Sequence, residues 1–504
     1  MKMTQESGVL KAENGDDLLP VFQELTHLVV QAAQKGQPVH EVEKAIWQQV
    51  LRIGRQALGQ FFRLLGSGDL GETVTLPEGQ SCQRLEELHE RRYVSIFGEF
   101  KLQRTVYGSR ERQKIEFVPL DNRLQLPHSV FSYVLQDWDQ GFCVEQAFGP
   151  SAQAILRILG LRQSVDSLER INEEMAEYVV DFWEAQPKPK ASAQAEVLVV
   201  SADGKGIVMR RSEAAAVPAH RHKGDKASHK RMATVGTAYT VDRYVRTPEE
   251  VLAALFRDGD RPEERRPTPQ GKQVWASLSV DDGEDSVSSV DIIYTWLADQ
   301  VDRRNPRGTK EMVHVSDGQA SLRTAGREYL PQENLTDIAD LLHVASYIWE
   351  AAHVFHHEGS GAAETFARER LLRILQGHAD GVVRGLREMG TKRGLTAAKK
   401  KTLNKVCTYL RANLDRMHYH EYLSKGYPVA SGVIEGACRH LVKDRMERAG
   451  MHWTEEGAQA MLNVRSVYVN GDWEAYQNFR INHETERLYP YRELVAGDEY
   501  CLAG

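Results

Sequence analysis

A chain of 504 residues is too long for one compact core and points to about three domains. Hydrophobic content of 41%, a mean hydropathy of −0.48 and no run of 18 apolar residues argue against a membrane span, and an N-terminus without an apolar signal core reads as cytoplasmic. A net charge of −7 excludes a uniformly basic nucleic-acid binder, and five scattered cysteines with no CxxC pair exclude a zinc ribbon and a disulfide framework.

In chain order, residues 18–67 carry apolar residues at three- and four-residue spacing and read as helix, interrupted at Gly36 and Pro38. Residues 91–107 alternate around Phe97-Gly98 and read as a β-hairpin, followed by a short strand in RQKIEF. Helical spacing returns from His128 to about Ala185, with a segment of helix-turn-helix size in which Ser164 or Ser167 can cap the second helix. QPKPKASA, residues 186–193, reads as a linker. Beyond it, VLVVSADGKGI reads as a buried strand ending at Asp203, residues 231–242 and 274–281 as further strands with a charged Pro-rich insertion between them, and 290–304 as a helix. MVHVSDGQASL gives a strand ending at Asp317, and residues 334–355 a strand running into a helix. Residues 360–424 are helical in pattern, SGVIEGACRHLVKDRMERAG is a last helix closed by Gly450, and the chain after Trp473 is polar and weakly patterned. Three leading strands followed by strand–helix units predict a mixed sheet flanked by helices.

Charge is unevenly distributed. Residues 205–231 hold eight Lys or Arg against two acids, and residues 384–405 hold eight against one. Such clusters mark either solvated loops or nucleic-acid patches.

Asp203 and Asp317 each follow a β-rich run and precede Gly, which places an acid at a sheet edge. Either one alone reads equally as a strand end opening a turn. Two converging carboxylates with no Cys or His ligand set suit Mg²⁺, a hard cation that takes oxygen. Two-metal phosphoryl transfer needs about three carboxylates, and Glu435, flanked by Ser431, Gly432, Gly436 and Ala437, is the preferred third; Asp444 and Glu447 are rivals whose neighbouring cations account for them by i,i+4 pairing. Asp340 and His343, three residues apart at another strand-to-helix boundary, read as an N-cap and a half-buried His, or as groups that orient the site.

Taken in order, VLVVSADGKG, VSDGQASL, DLLHVASYIWEAAH and SGVIEGACRHLVKDRMERAGMHW resemble DDE transposases of bacterial insertion sequences, the ISKra-type group and, more distantly, Mutator-like transposases. The resemblance spans about residues 90–470. It implies an α/β fold: a ribonuclease-H-like mixed-sheet catalytic core with a helical insertion, preceded by a mostly helical DNA-binding region containing a β-hairpin. It implies Asp203, Asp317 and Glu435 as the catalytic acids and the ligands of two Mg²⁺ or Mn²⁺ ions. Asp340, His343 and the Gly450–Trp453 string resemble family features near the site. The interval between Asp203 and Asp317 requires the Pro-rich stretch at 243–273 to be an insertion within the core.

The expected organisation is an N-terminal helical region (1–85), a hairpin and helix-turn-helix-like DNA-binding region (86–185), the first part of the core (194–355), the insertion (356–424), the final core helix (425–475) and a tail (476–504). The expected partners are terminal inverted repeats, target DNA and a second copy of the chain. Arg221, Lys223, Lys226, Lys230, Arg231, Lys399, Lys400 and Lys401 are expected to contact DNA backbone. A ribonuclease-H-like nuclease or resolvase, or a non-catalytic transposase-derived DNA-binding protein, are the alternatives.

Overall fold

The structure, a computed structural model, describes residues 18–108, 115–190, 193–210, 230–259, 266–281, 286–448 and 450–496. Arg221, Lys223 and Lys226 lie outside the described residues. Among the described residues no helix is long and apolar enough to cross a membrane. The chain divides into two compact units, one of residues 1–178 with 473–504, the other of residues 179–472.

In the first unit, α1 (Leu19–Lys35) stops at Gly36, which adopts the left-handed conformation, and Pro38 precedes α2 (Val39–Leu65). Strands β1 (Thr73–Thr75), β2 (Ser81–Arg84), β5 (Tyr107–Gly108) and β6 (Ile115–Phe117) form a small antiparallel sheet. Between them, β3 (His89–Ser95) and β4 (Gly98–Arg104) make the hairpin, with Ser95 opposite Gly98. Phe100 and Leu102 of β4 pack under Leu58 and Phe62 of α2. Gly54 is required where α2 crosses the hairpin, because a Cβ there would lie 2.4 Å from the Phe97 ring.

After α3 (Pro119–Leu124), helices α4 (Tyr133–Cys143), α5 (Phe148–Leu159) and α6 (Val165–Ala176) pack together, and Ser164 caps α6 by accepting a hydrogen bond from the Ser167 amide. Their interface is polar at its centre. Gln140 donates to the Leu168 carbonyl and accepts from Asn172, and Gln163 donates to Asp139 at 2.6 Å.

The chain after Trp473, polar in sequence, is a helix over Trp473–Leu488 and belongs to this unit. It buries Tyr476, Gln477, Arg480 and Glu484; Arg480 donates to Gln136 at 2.9 Å, and Glu484 accepts from the His128 amide. A helix that buries paired polar groups leaves little apolar periodicity to read.

The second unit begins at α7 (Val179–Ala185), ahead of the 186–193 segment expected as the boundary. Trp183 of α7 meets Trp275 edge-on at 5.3 Å, and Arg303 donates to the Gln186 and Glu184 carbonyls, so this stretch is held to the second unit.

The core of this unit is a five-stranded sheet. Strands β7 (Val197–Val208), β8 (Lys230–Val241) and β9 (Gln270–Ser277) run antiparallel in succession, while β12 (Met312–Ser316) pairs parallel with β7, and β13 (Leu335–Ala339) parallel with β12. The order across the sheet is β13-β12-β7-β8-β9. The short pair β10 (Val280–Asp281) and β11 (Ser286–Val287) stands apart.

Alternate residues of β7 serve opposite faces. Leu198 and Val200 pack with Ile293, Tyr294 and Leu297 of α9 (Ser289–Arg304) and Leu322 of α10 (Ala320–Tyr329). Val197 and Val199 share a core with α11 (Leu341–Phe355), α12 (Gly361–Leu375), α13 (Ala379–Lys392), α14 (Ala397–Ala412) and α15 (Tyr419–Ser424). Burial on both faces explains the unbroken apolar run VLVV.

The Pro-rich stretch contains a helix absent from the sequence reading, α8 (Pro248–Phe256), started by a capping box between Thr247 and Glu250. The segment expected as one last regular helix is instead α16 (Gly432–Ala437), a π-helical turn over Cys438–Lys443 and α17 (Asp444–Met446). It is not the last helix of the unit, since α18 (Glu455–Asn470) follows and lies along β9, where Asn470 accepts from the Val274 amide.

Candidate active site

Asp203 does not end its strand. Strand β7 continues to Val208 as one arm of a long hairpin with β8, and Asp203 pairs with Val235. The strand outlasts its parallel neighbour: β12 pairs with β7 only as far as Val315–Ser201, and Asp317 stands one residue past β12. Val315 also pairs with Ile338 of β13. Carrying this register forward by two residues brings Asp203, Asp317 and Asp340 level across three adjacent strands. The Asp340 amide donates to the Ser316 carbonyl at 3.0 Å, so the ladder does run on that far.

Asp340 is fully buried and is the N-cap of α11. One carboxylate oxygen accepts from the Leu342 amide at 3.1 Å and the Ser431 amide at 2.9 Å; the other accepts from the Ser431 hydroxyl at 2.7 Å and the His343 amide at 3.3 Å. Burial works against the charge, but the His343 and Ser431 hydrogen bonds outweigh it and hold the carboxyl below its ordinary range. This one side chain therefore starts α11 and pins the entry to α16. The Glu435 amide then closes the first turn on the Ser431 carbonyl at 3.0 Å. Replacing Asp340 by Ala removes a helix cap and strands the Ser431 donors, and should cost about 2 kcal/mol. A thermal melt checks this; an unchanged Tm would show that the tether contributes nothing.

Glu435 is exposed, Asp317 and Asp203 half-buried. The pKa of Asp203 is raised by desolvation first and by the charge of Asp317, against a 2.7 Å hydrogen bond from the Gly204 amide. Glu435 is raised by burial, then by Asp340 and Asp203. Asp203 is thus the electrostatic hub between the other two acids. His343 lies beside the same cluster and is raised by its hydrogen bond to Asp340 and by the charges of Asp317 and Asp203.

Sequence reasoning missed Cys438, which donates its thiol to Asp203 at 3.6 Å from one turn beyond Glu435. Burial and the Asp203 charge raise that thiol's pKa, so it stays protonated and able to donate. Cys438 opens the π-helical turn, a local rewinding common at functional sites. Trp453 of the GMHW string pairs by backbone with the end of β7: its amide donates to Val208 and its carbonyl accepts from Arg210.

The rivals of Glu435 are occupied elsewhere. Glu447 pairs with Lys230 at 3.0 Å and Lys205 at 3.7 Å, and Asp444 with His440 at 3.1 Å. Of the expected DNA contacts, Lys230 and Arg231 are already paired, the latter with Glu455. Lys399, Lys400 and Lys401 are exposed in the first turns of α14, and no ion pair of theirs occurs among the described residues.

An all-oxygen, acid-rich set suits a hard divalent cation. The carboxylates are electrostatic neighbours, and among the described residues no three His, Cys, Asp or Glu side chains are grouped to hold a metal ion.

No family model and no curated protein matches this chain. Among solved structures, the chain is similar to one titled Drosophila P element transposase strand transfer complex, with 10% identity over 74% of this chain and 89% of that one. The TM-score is 0.24, a likeness too faint to bear on fold or activity.

Proposed function

We propose that this chain is a DNA transposase of an insertion sequence, with a ribonuclease-H-like core that cleaves element ends and joins the freed 3′-OH to target DNA. The observation that carries the reading is the parallel register of β7, β12 and β13, which two residues further on sets Asp203, Asp317 and Asp340 level, with Glu435 held near Asp340 and Asp203 by the Asp340–Ser431 tether. A sheet of three antiparallel strands extended by two parallel ones, in the order 3-2-1-4-5, supports that type of core.

In this reading Asp203, Asp317 and Glu435 would hold divalent cations, Mg²⁺ or Mn²⁺. A bound cation supplies Lewis acidity to the attacking and leaving oxygens of an in-line displacement. In the first step the oxygen of water attacks phosphorus, the bond to the 3′ oxygen breaks, and that oxygen leaves as a 3′-OH. In the second step this hydroxyl attacks a target phosphodiester, and the target's own 3′ oxygen leaves. Asp340 keeps Glu435 in place, and His343 is held beside the acids by its contact with Asp340. In this reading two copies of the chain would pair the two element ends.

Lysines at the N-terminal turn of α14 face the positive end of the helix dipole, an arrangement that costs stability rather than adding it. Their accumulation there favours an anion partner, here the DNA backbone. Changing Lys399, Lys400 and Lys401 together to Ala should flatten the log–log salt dependence of DNA binding by up to about 3 units, equally for specific and random DNA. A gel-shift series from low to high salt measures this, and an unchanged slope would remove α14 from the DNA path.

A further inference from the structure

The turn that carries Asp317 is gripped from outside the sheet. The Tyr409 hydroxyl, on α14, donates to the Asp317 carbonyl at 2.9 Å. Gly318 follows with φ +86°, and a Cβ there would come 2.9 Å from the Tyr409 ring and 3.0 Å from the Asn413 amide. Asn413 accepts from Arg416 at 3.0 Å, and buried Arg416 donates to the Ser316 hydroxyl at 2.6 Å and to the Ile338 carbonyl at 3.1 Å. On the far side of the turn, Arg323 donates to the Ala412 carbonyl at 2.7 Å. Among the described residues the Asp317 carboxylate itself accepts only from the Gln319 amide of its own turn, at 2.8 Å. Its position thus depends on what holds the backbone.

Tyr409 is in turn fixed by its neighbours. Its ring stacks on Tyr347 of α11 at 3.8 Å and 16°, and Lys405 covers Tyr347 at 5.0 Å while pairing with Glu350 at 3.0 Å.

We infer that Tyr409 is a positioning residue: its hydroxyl and ring, presented by the last long helix of the helical segment, hold the Asp317 turn so that the carboxylate is set for the reaction. The inference rests on the proposed role of Asp317, and it makes α14 a single rigid element with basic residues at its start and the Asp317 clamp near its end. Over the nine residues from Lys400 to Tyr409, a helix spans about 14 Å.

The test uses the full chain with Tyr409→Phe, which keeps the ring and the stack and removes only the donor, beside Asp317→Asn. Four quantities are read: single-turnover cleavage of end DNA, the DNA concentration giving half-maximal rate, Tm, and amide hydrogen exchange of the peptide covering residues 316–320. Tyr409→Phe should slow cleavage by about 10-fold, in the range seen when a group supporting a first-shell ligand is lost. It should also speed exchange in that peptide, with Tm and the half-maximal DNA concentration unchanged. Gly318→Ala, which presses on the same ring, should reproduce the slow cleavage.

Wild-type cleavage and unchanged exchange in Tyr409→Phe, with Asp317→Asn inactive, would overturn the inference alone. A Tyr409→Phe protein losing Tm, DNA affinity and rate together would also overturn it, as a general structural effect. An active Asp317→Asn would overturn the reading of Asp317 itself.

Discussion

Asp203→Asn, Asp317→Asn and Glu435→Gln are each expected to lower metal-dependent DNA cleavage by at least about 10³-fold, a loss of about 4 kcal/mol of transition-state stabilisation, with the fold left in place. Asp203 and Glu435 both ionise above their ordinary range because of burial and neighbouring acids. A carboxyl raised in the folded state contributes stability at low pH that is lost as pH rises through its folded pKa. At neutral pH these two charges therefore work against the fold, and an amide of the same shape relieves that. Cleavage is read on denaturing gels and folding by thermal melts. Retained cleavage in any one variant would remove that acid from the site; a lowered Tm in the two raised positions would contradict the electrostatic account.

The second large effect is expected far from these acids, in the α4–α6 bundle. Asp139 is fully buried, and burial pushes its carboxyl up to about 7 against a hydrogen bond from Gln163. Among the described residues its second oxygen has no hydrogen-bond partner. The folded state thus holds the proton more tightly than the unfolded chain, whose carboxyl titrates near 3.8. The stability this confers is complete below about pH 4 and is lost as pH rises through 7. The full difference of about three pKa units corresponds to about 4 kcal/mol. Asp139→Asn should therefore match the wild type near pH 4 and exceed it at pH 8.5 by up to that amount, less the cost of an amide donor with no acceptor. Denaturation at the two pH values checks it, and parallel pH profiles for the two proteins would show that Asp139 is not the group responsible.

Local signals made much of this architecture legible. Gly36 and Pro38 divide α1 from α2, Phe97-Gly98 turns the β3–β4 hairpin, and Ser164 caps α6, each by backbone chemistry contained within a few residues. Helix α8 was also locally encoded, in Thr247, Pro248 and Glu250, but charge and proline in the surrounding stretch masked the capping box. Asp203 followed by Gly204 reads as a strand end, but pairing with β8 carries the strand straight through both. The interruption of helix at Cys438 has no counterpart in the periodicity, which stays helical through Lys443.

Other features depend on contacts between residues far apart in sequence. Asp340 reaches Ser431, Cys438 reaches Asp203 and Tyr409 reaches Asp317, and no spacing rule links such pairs. The helix Trp473–Leu488 completes the first unit from the other end of the chain. For that reason a fragment ending near residue 190 lacks the helix that buries Tyr476 and Arg480 and does not contain the whole first unit.

The proposed reaction is tested most directly on the DNA that flanks the reading frame. Purified full-length protein is incubated with that DNA and Mg²⁺, with and without EDTA, and the strand ends are mapped to the nucleotide. Cleavage at the boundaries of flanking inverted repeats, leaving 3′-OH ends, abolished by EDTA and absent in Asp203→Asn, is the predicted result. Cleavage that persists in Asp203→Asn, or no cleavage at all of DNA that the protein binds, would contradict it.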